Sequence, residues 1–128
     1  FFMQKTITVT GSIFILLSII LGAMAAHALE KIIVPELIET FEKGVKYQLY
    51  TGLGFLIIGL NAQQLKFNLK PFYILNLIGV LLFSGCIYTY SFHELVPALK
   101  STVMIVPLGG ICMILAWIAI TAQFIKQI

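Results

Sequence analysis

The stretch AAHALEKIIVPELIETFEKGVKYQ, residues 25–48, holds four of the chain's five carboxylates and one of its two histidines. A histidine and a glutamate can work as an acid–base pair, provided that they come within about 3 Å or one water of each other. His27 and Glu42 are the candidates here, with a structural hydrogen bond favoured for His27 over a proton-sensitive role. Tyr47 and Gln48 follow at once, and Ser84 and Tyr88 add hydroxyls further along; amides and hydroxyls at membrane depth bond between helices. Neither a metal nor a cofactor is indicated. His93 is the other histidine, no Cys/His spacing suits zinc, and no phosphate loop, nucleophile elbow or His-Glu-x-x-His motif occurs. Cys86 and Cys112 differ in depth by roughly 6 Å at 1.5 Å per residue, so they read as small buried hydrophobes and not as a disulfide.

The elements that must position these groups are long and apolar. The 128 residues are 60% hydrophobic and 10% charged, with a mean hydropathy of +1.05, against about a quarter charged in soluble domains. Residues 7–29, 71–92 and 102–125 contain no Asp, Glu, Lys or Arg, and each is long enough to cross roughly 30 Å of hydrocarbon. Residues 47–65 just reach across as a further span. A backbone in lipid must satisfy its own hydrogen bonds, and the short connection KFNLK turns the chain straight back. The expected fold is therefore all-α, a single membrane-spanning up-down four-helix bundle. An alternative reading takes Lys5, the first apolar run and AMAAHA as a secretory signal, which the length of the run disfavours. Met3 reads as a natural start behind Phe1 and Phe2.

Residues 34–46 predict an amphipathic helix between the first and second spans. Pro35 suits a first turn, Glu36 and Glu39 suit the positive end of a helix, and Val34, Leu37, Ile38, Phe41 and Val45 recur at helical spacing. Glu39 with Lys43 and Glu42 with Lys46 stand in the favourable i,i+4 order for surface ion pairs. Pro107 with Gly109 and Gly110 predicts a kink in the last span, while Ser18, Gly22 and Ala26 form a small-residue ridge for close packing. The lysines tie between the two sides; the purely basic KFNLK loop favours cytoplasmic termini in a bacterial plasma membrane. A net charge of +3 spread this way leaves no patch for nucleic acid.

GAMAAHALE at 22–30, FEKGVKYQ at 41–48, LFSGCIY at 82–88 and VPLGG at 106–110 together resemble the YwdK/YgdD-like small membrane proteins, domain-of-unknown-function family 423, which has a eukaryotic relative in transmembrane protein 256. The resemblance covers nearly the whole chain and implies a four-helix membrane protein of unassigned activity. The family pattern has a histidine after the Tyr-Gln pair where this chain has Thr51, and a Gly-Trp pair where it has Ala116-Trp117. The missing histidine argues against a histidine-pair mechanism.

If the spans alternate, His27, Glu42, Tyr47, Gln48, Ser84, Tyr88 and Pro107 to Gly110 all fall in one leaflet. The favoured expectation is a non-enzymatic membrane protein with a polar pocket there that binds a membrane lipid, a small amphiphile or a partner helix. A small oligomeric transporter is the alternative, although no charge occupies the middle of any span. The third is a membrane enzyme using His27 and Glu42. Partners beyond lipid would be further copies of the chain or another membrane protein.

Overall fold

The computed structural model describes residues 2–127. Among them there is no strand; the chain runs through four long helices, α1 (Phe2–Ala26), α2 (Pro35–Leu60), α3 (Lys70–Tyr90) and α4 (Val106–Gln127), with short 3₁₀ turns in each connection. Three segments are long and apolar enough to cross a membrane, Met3–Ala26, Lys70–Tyr90 and Pro97–Gln127. Their outward side chains are hydrophobic, as Leu16, Ile19, Ile111 and Ile118 illustrate. In lipid such a surface needs no cover.

Local chemistry sets the helix ends. Pro35 enters α2 behind Val34, whose extended backbone is what a residue before proline adopts, and the missing proline N–H is one that a first turn leaves unpaired anyway. The helix then continues without a break, so the charged stretch 34–46 and the apolar run after it form one rod. Leu37, Phe41, Gly44, Gln48, Thr51, Gly52, Phe55, Ile58 and Gly59 make its buried stripe. It stops at Leu60, short of residue 65, because the Asn61 side-chain amide folds back to donate to the Ile57 carbonyl at 2.8 Å. Asn68 accepts from the Lys70 N–H at 3.0 Å as α3 begins. At its far end the fully buried Ser91 hydroxyl donates to the Ile87 carbonyl at 2.8 Å.

The last helix starts later than hydropathy alone suggests. Residues 97–104 wind as 3₁₀ helix and α4 opens at Val106. Pro107 therefore stands in a first turn, where it interrupts no helical hydrogen bond, so the kink expected from Pro107, Gly109 and Gly110 has no proline inside a span to produce it.

Packing is closest between α1 and α2 and between α3 and α4, and α2 and α3 join the two pairs. Glycines bring the backbones together. A β-carbon on Gly11 would lie 2.7 Å from the Gly52 carbonyl oxygen, and one on Gly79 would lie 2.9 Å from that of Gly109. Residue numbers rise on one helix as they fall on its neighbour: Thr8 meets Gly59 while Gly22 meets Val45, and Phe72 stacks edge-on with Trp117 while Phe67 meets Phe124. Two apolar clusters result. One gathers Ile7, Phe55, Ile58, Phe72, Tyr73, Ala116 and Ile120 near the Lys66–Lys70 end; the other gathers Ala25, Leu29, Ile33, Leu37 and Phe41 at the opposite end.

Candidate functional site

Between those clusters lie the buried polar side chains Ser18, Gln48, Thr51, Asn76 and Ser84. Gly44 lets two of them, Gln48 and Ser84, meet Tyr88, since a β-carbon on Gly44 would lie 2.8 Å from Cε1 of Tyr88; with hydrogen in its place the Tyr88 ring packs close against α2. The Tyr88 hydroxyl then donates to Oε1 of Gln48 at 2.7 Å. Nε2 of Gln48 donates in turn to the Phe14 carbonyl on α1 at 3.1 Å, and the Ser84 hydroxyl donates to the Gly44 carbonyl at 2.7 Å. Phe41 closes the group from one end, its ring 4.8 Å from that of Tyr88. Three helices are thus tied by neutral groups whose protons are committed to one another. Such bonds average about 0.6 kcal/mol each in membranes, so the arrangement is an inter-helix lock and contains no ionisable base to take up a proton near neutral pH.

The other residues singled out from the sequence are placed elsewhere. His27 is exposed just beyond α1 and its ring makes no hydrogen bond among the described residues. Glu42 is also exposed; it opens onto a hollow of about 410 Å³ shared with Glu30, Glu39, Ile33, Pro35 and Ile38. The two are therefore not brought together as an acid–base pair. The i,i+4 ion pairs are not formed either, since neither Lys43 nor Lys46 has a side-chain partner among the described residues. Gly109 and Gly110 face Phe83 on α3. Ser18 is buried on α1, and Ala26, from the same ridge, is exposed. Cys86 and Cys112 are both free. His93 stacks on Tyr90 with ring centroids 4.5 Å apart.

Tyr47 leads to a different feature. It packs edge-on against Tyr50 and Phe83 and lines the mouth of a groove of about 720 Å³ between α2 and α4, with Tyr50, Thr51, Met113, Trp117 and Ile118 among the walls. Gly54 lets Trp117 seat close against α2, because a β-carbon there would lie 2.7 Å from Cζ2 of Trp117. Thr51 is 2% exposed, and its hydroxyl has no hydrogen-bond partner among the described residues. Sequence reasoning missed this groove. The signal available was a small residue, Gly54, opposite the chain's single tryptophan.

Comparison with known proteins agrees with this all-helical, apolar chain. Residues 21–110 match the profile of the family described as Protein of unknown function (DUF423). The chain belongs to the DUF423 family. Its relatives in that family include the UPF0382 membrane protein YwdK of Bacillus subtilis, 32% identical over 98% of this chain and 100% of YwdK. A UPF0382 membrane protein of Staphylococcus haemolyticus is 30% identical over 96% of this chain and 98% of its own length, and one from Haemophilus influenzae is 31% identical over 84% and 83%. No solved structure matches the chain. The DUF423 profile takes in the whole of α2 and α3, which supply Gln48, Ser84 and Tyr88, but ends at Gly110 before the α4 wall of the groove.

Proposed function

We propose that this DUF423 protein is a non-enzymatic integral protein of the bacterial plasma membrane, an up-down four-helix bundle whose α2–α4 groove receives the hydrocarbon chain of a lipid or amphiphile. Both termini face the cytoplasm, and residues 34–46, the charged first half of α2, lie as an amphipathic segment at the opposite interface. Gln48, Ser84 and Tyr88 hold α1, α2 and α3 in place, and Tyr47 stands at the entrance to the groove. The separation of His27 from Glu42 speaks against acid–base chemistry.

One observation carries the reading, a groove of about 720 Å³ with almost wholly apolar walls running along two helices. Within a bilayer such a groove is adjacent to acyl chains and matches them in polarity. The test uses Trp117, the single tryptophan, as the reporter in bilayers containing lipids with brominated chains. A groove that holds a chain gives saturable quenching of Trp117, and native mass spectrometry of gently extracted protein finds lipid retained. Quenching that merely tracks the bulk brominated fraction, as for a tryptophan placed at lipid-facing Leu16 in a Trp117→Phe background, together with lipid-free spectra, refutes the reading.

A further inference from the structure

Given that the groove holds a lipid chain, the polar groups above it bear on which lipid. Lys43 and Lys46 stand one helical turn before Tyr47 and Tyr50, and residues four apart share a face. That spacing puts both lysines on the side of α2 that carries the groove, one turn beyond its tyrosines. Both are exposed, and neither closes an ion pair or a hydrogen bond among the described residues. The nearest carboxylates along the helix, Glu39 and Glu42, open instead onto the separate hollow with Glu30.

Deeper in, Thr51 is the buried polar side chain of the groove wall, its hydroxyl unpartnered and its residue 2% exposed. At 1.5 Å per residue it lies about 7.5 Å below Lys46 and about 12 Å below Lys43. Lysine stems bend towards water and carry the charge to headgroup depth. The order along the groove is then cation, tyrosine ring, the Thr51 hydroxyl and a wall that is apolar except for Thr121 on α4. A glycerophospholipid presents the matching order of phosphate, glycerol, ester carbonyl and acyl chain.

We propose that the groove is a site for an anionic glycerophospholipid, with Lys43 and Lys46 on its headgroup, the Thr51 hydroxyl donating to an ester carbonyl, and the acyl chain lying against Trp117. A zwitterionic lipid fits the same groove but carries its own cation, which cancels the attraction of its phosphate to the two lysines. This assignment rests on the groove reading above and adds to it a charge preference and an ester contact.

The experiment measures saturable quenching of Trp117 in the full chain, reconstituted in phosphatidylcholine bilayers, by small amounts of either phosphatidylglycerol or phosphatidylcholine with brominated chains. Juxtamembrane lysines attract anionic lipid strongly enough for two of them to give a preference of about tenfold for phosphatidylglycerol. Lys43→Gln with Lys46→Gln removes that preference and leaves quenching by phosphatidylcholine as it was. Thr51→Val, which keeps the side-chain shape, weakens ester-linked lipid by about threefold, the effect of one membrane hydrogen bond, and leaves ether-linked lipid of the same charge unaffected. Saturable but equal quenching by the two headgroups in the unaltered protein overturns the assignment while the groove reading stands. So does a preference that survives the double lysine substitution. Saturation by neither lipid overturns the groove reading and the assignment with it.

Discussion

Substituting Gly109 by alanine tests the packing of α3 on α4 most directly. The added β-carbon would lie 2.6 Å from the Gly79 carbonyl oxygen and 2.9 Å from the Leu82 carbonyl carbon, and it would also meet the Phe83 backbone nitrogen. All three are backbone atoms, so no side chain can swing aside. Restoring an ordinary contact of 3.4 Å to the Gly79 oxygen alone opens the pair by about 0.8 Å, enough to forfeit a quarter to a half of the dispersion energy at facing atoms. Overpacking of this kind costs about 1–3 kcal/mol, while replacing glycine by alanine within a helix returns at most about 1 kcal/mol. Gly109→Ala should therefore lower stability by about 1–2 kcal/mol. Gly85→Ala is the matched control, since a β-carbon there meets nothing within 4 Å and should raise stability by about 0.5–1 kcal/mol. Equilibrium unfolding in mixed detergent micelles, followed by far-UV circular dichroism, measures both. If Gly109→Ala proves as stable as Gly85→Ala, the close approach of the two helices is not real and the register of α4 is wrong.

Tyr88→Phe removes the hydroxyl bound to Gln48 and should cost about 0.6 kcal/mol. Gln48→Leu should cost more, because it also releases the Phe14 carbonyl, and a double-mutant cycle between the two should return a positive coupling. His27→Ala and Glu42→Gln should each change stability by no more than about 0.5 kcal/mol, as substitutions at exposed sites do; a loss comparable to that of Gln48→Leu in the same unfolding assay would restore the His27–Glu42 pocket. Asn76 is fully buried with both side-chain amide atoms unpaired among the described residues, so the near-isosteric Asn76→Leu should be stabilising by about 1–3 kcal/mol. A destabilisation of that size in thermal melts would mean that the amide is bonded.

Depth was legible in the sequence and direction around the helix axis was not. Counting residues from span ends placed Gln48, Ser84 and Tyr88 at one level, and these three do meet around Gly44. The same count put His27 and Glu42 at that level, yet both point outward. Glu42 stands at the border of the charged stripe on the wheel, where hydropathy gives no preference, and His27 follows the last turn of α1, where the backbone leaves helical phase. Boundaries slipped for local reasons. Asn61 folding onto Ile57 ends α2 early, and the 3₁₀ segment before Val106 delays α4. The groove was out of reach because its width depends on how Trp117 seats against Gly54 across two helices that are not consecutive in the chain.

The uneven spacing of the helices bears on how the molecule is built. Each hairpin is drawn tight by glycine, α1 on α2 through Gly11 and Gly52 and α3 on α4 through Gly79 and Gly109, while the two hairpins share a less extensive seam closed by Gln48, Tyr88 and Ser84 and by the Thr10 and Tyr73 hydroxyls, 2.9 Å apart. Each half can consequently leave the insertion machinery as a finished unit, and the second half can find the first by sliding laterally in the bilayer until those side chains engage. A chain severed in the KFNLK turn would retain everything that the two pieces need to recognise each other.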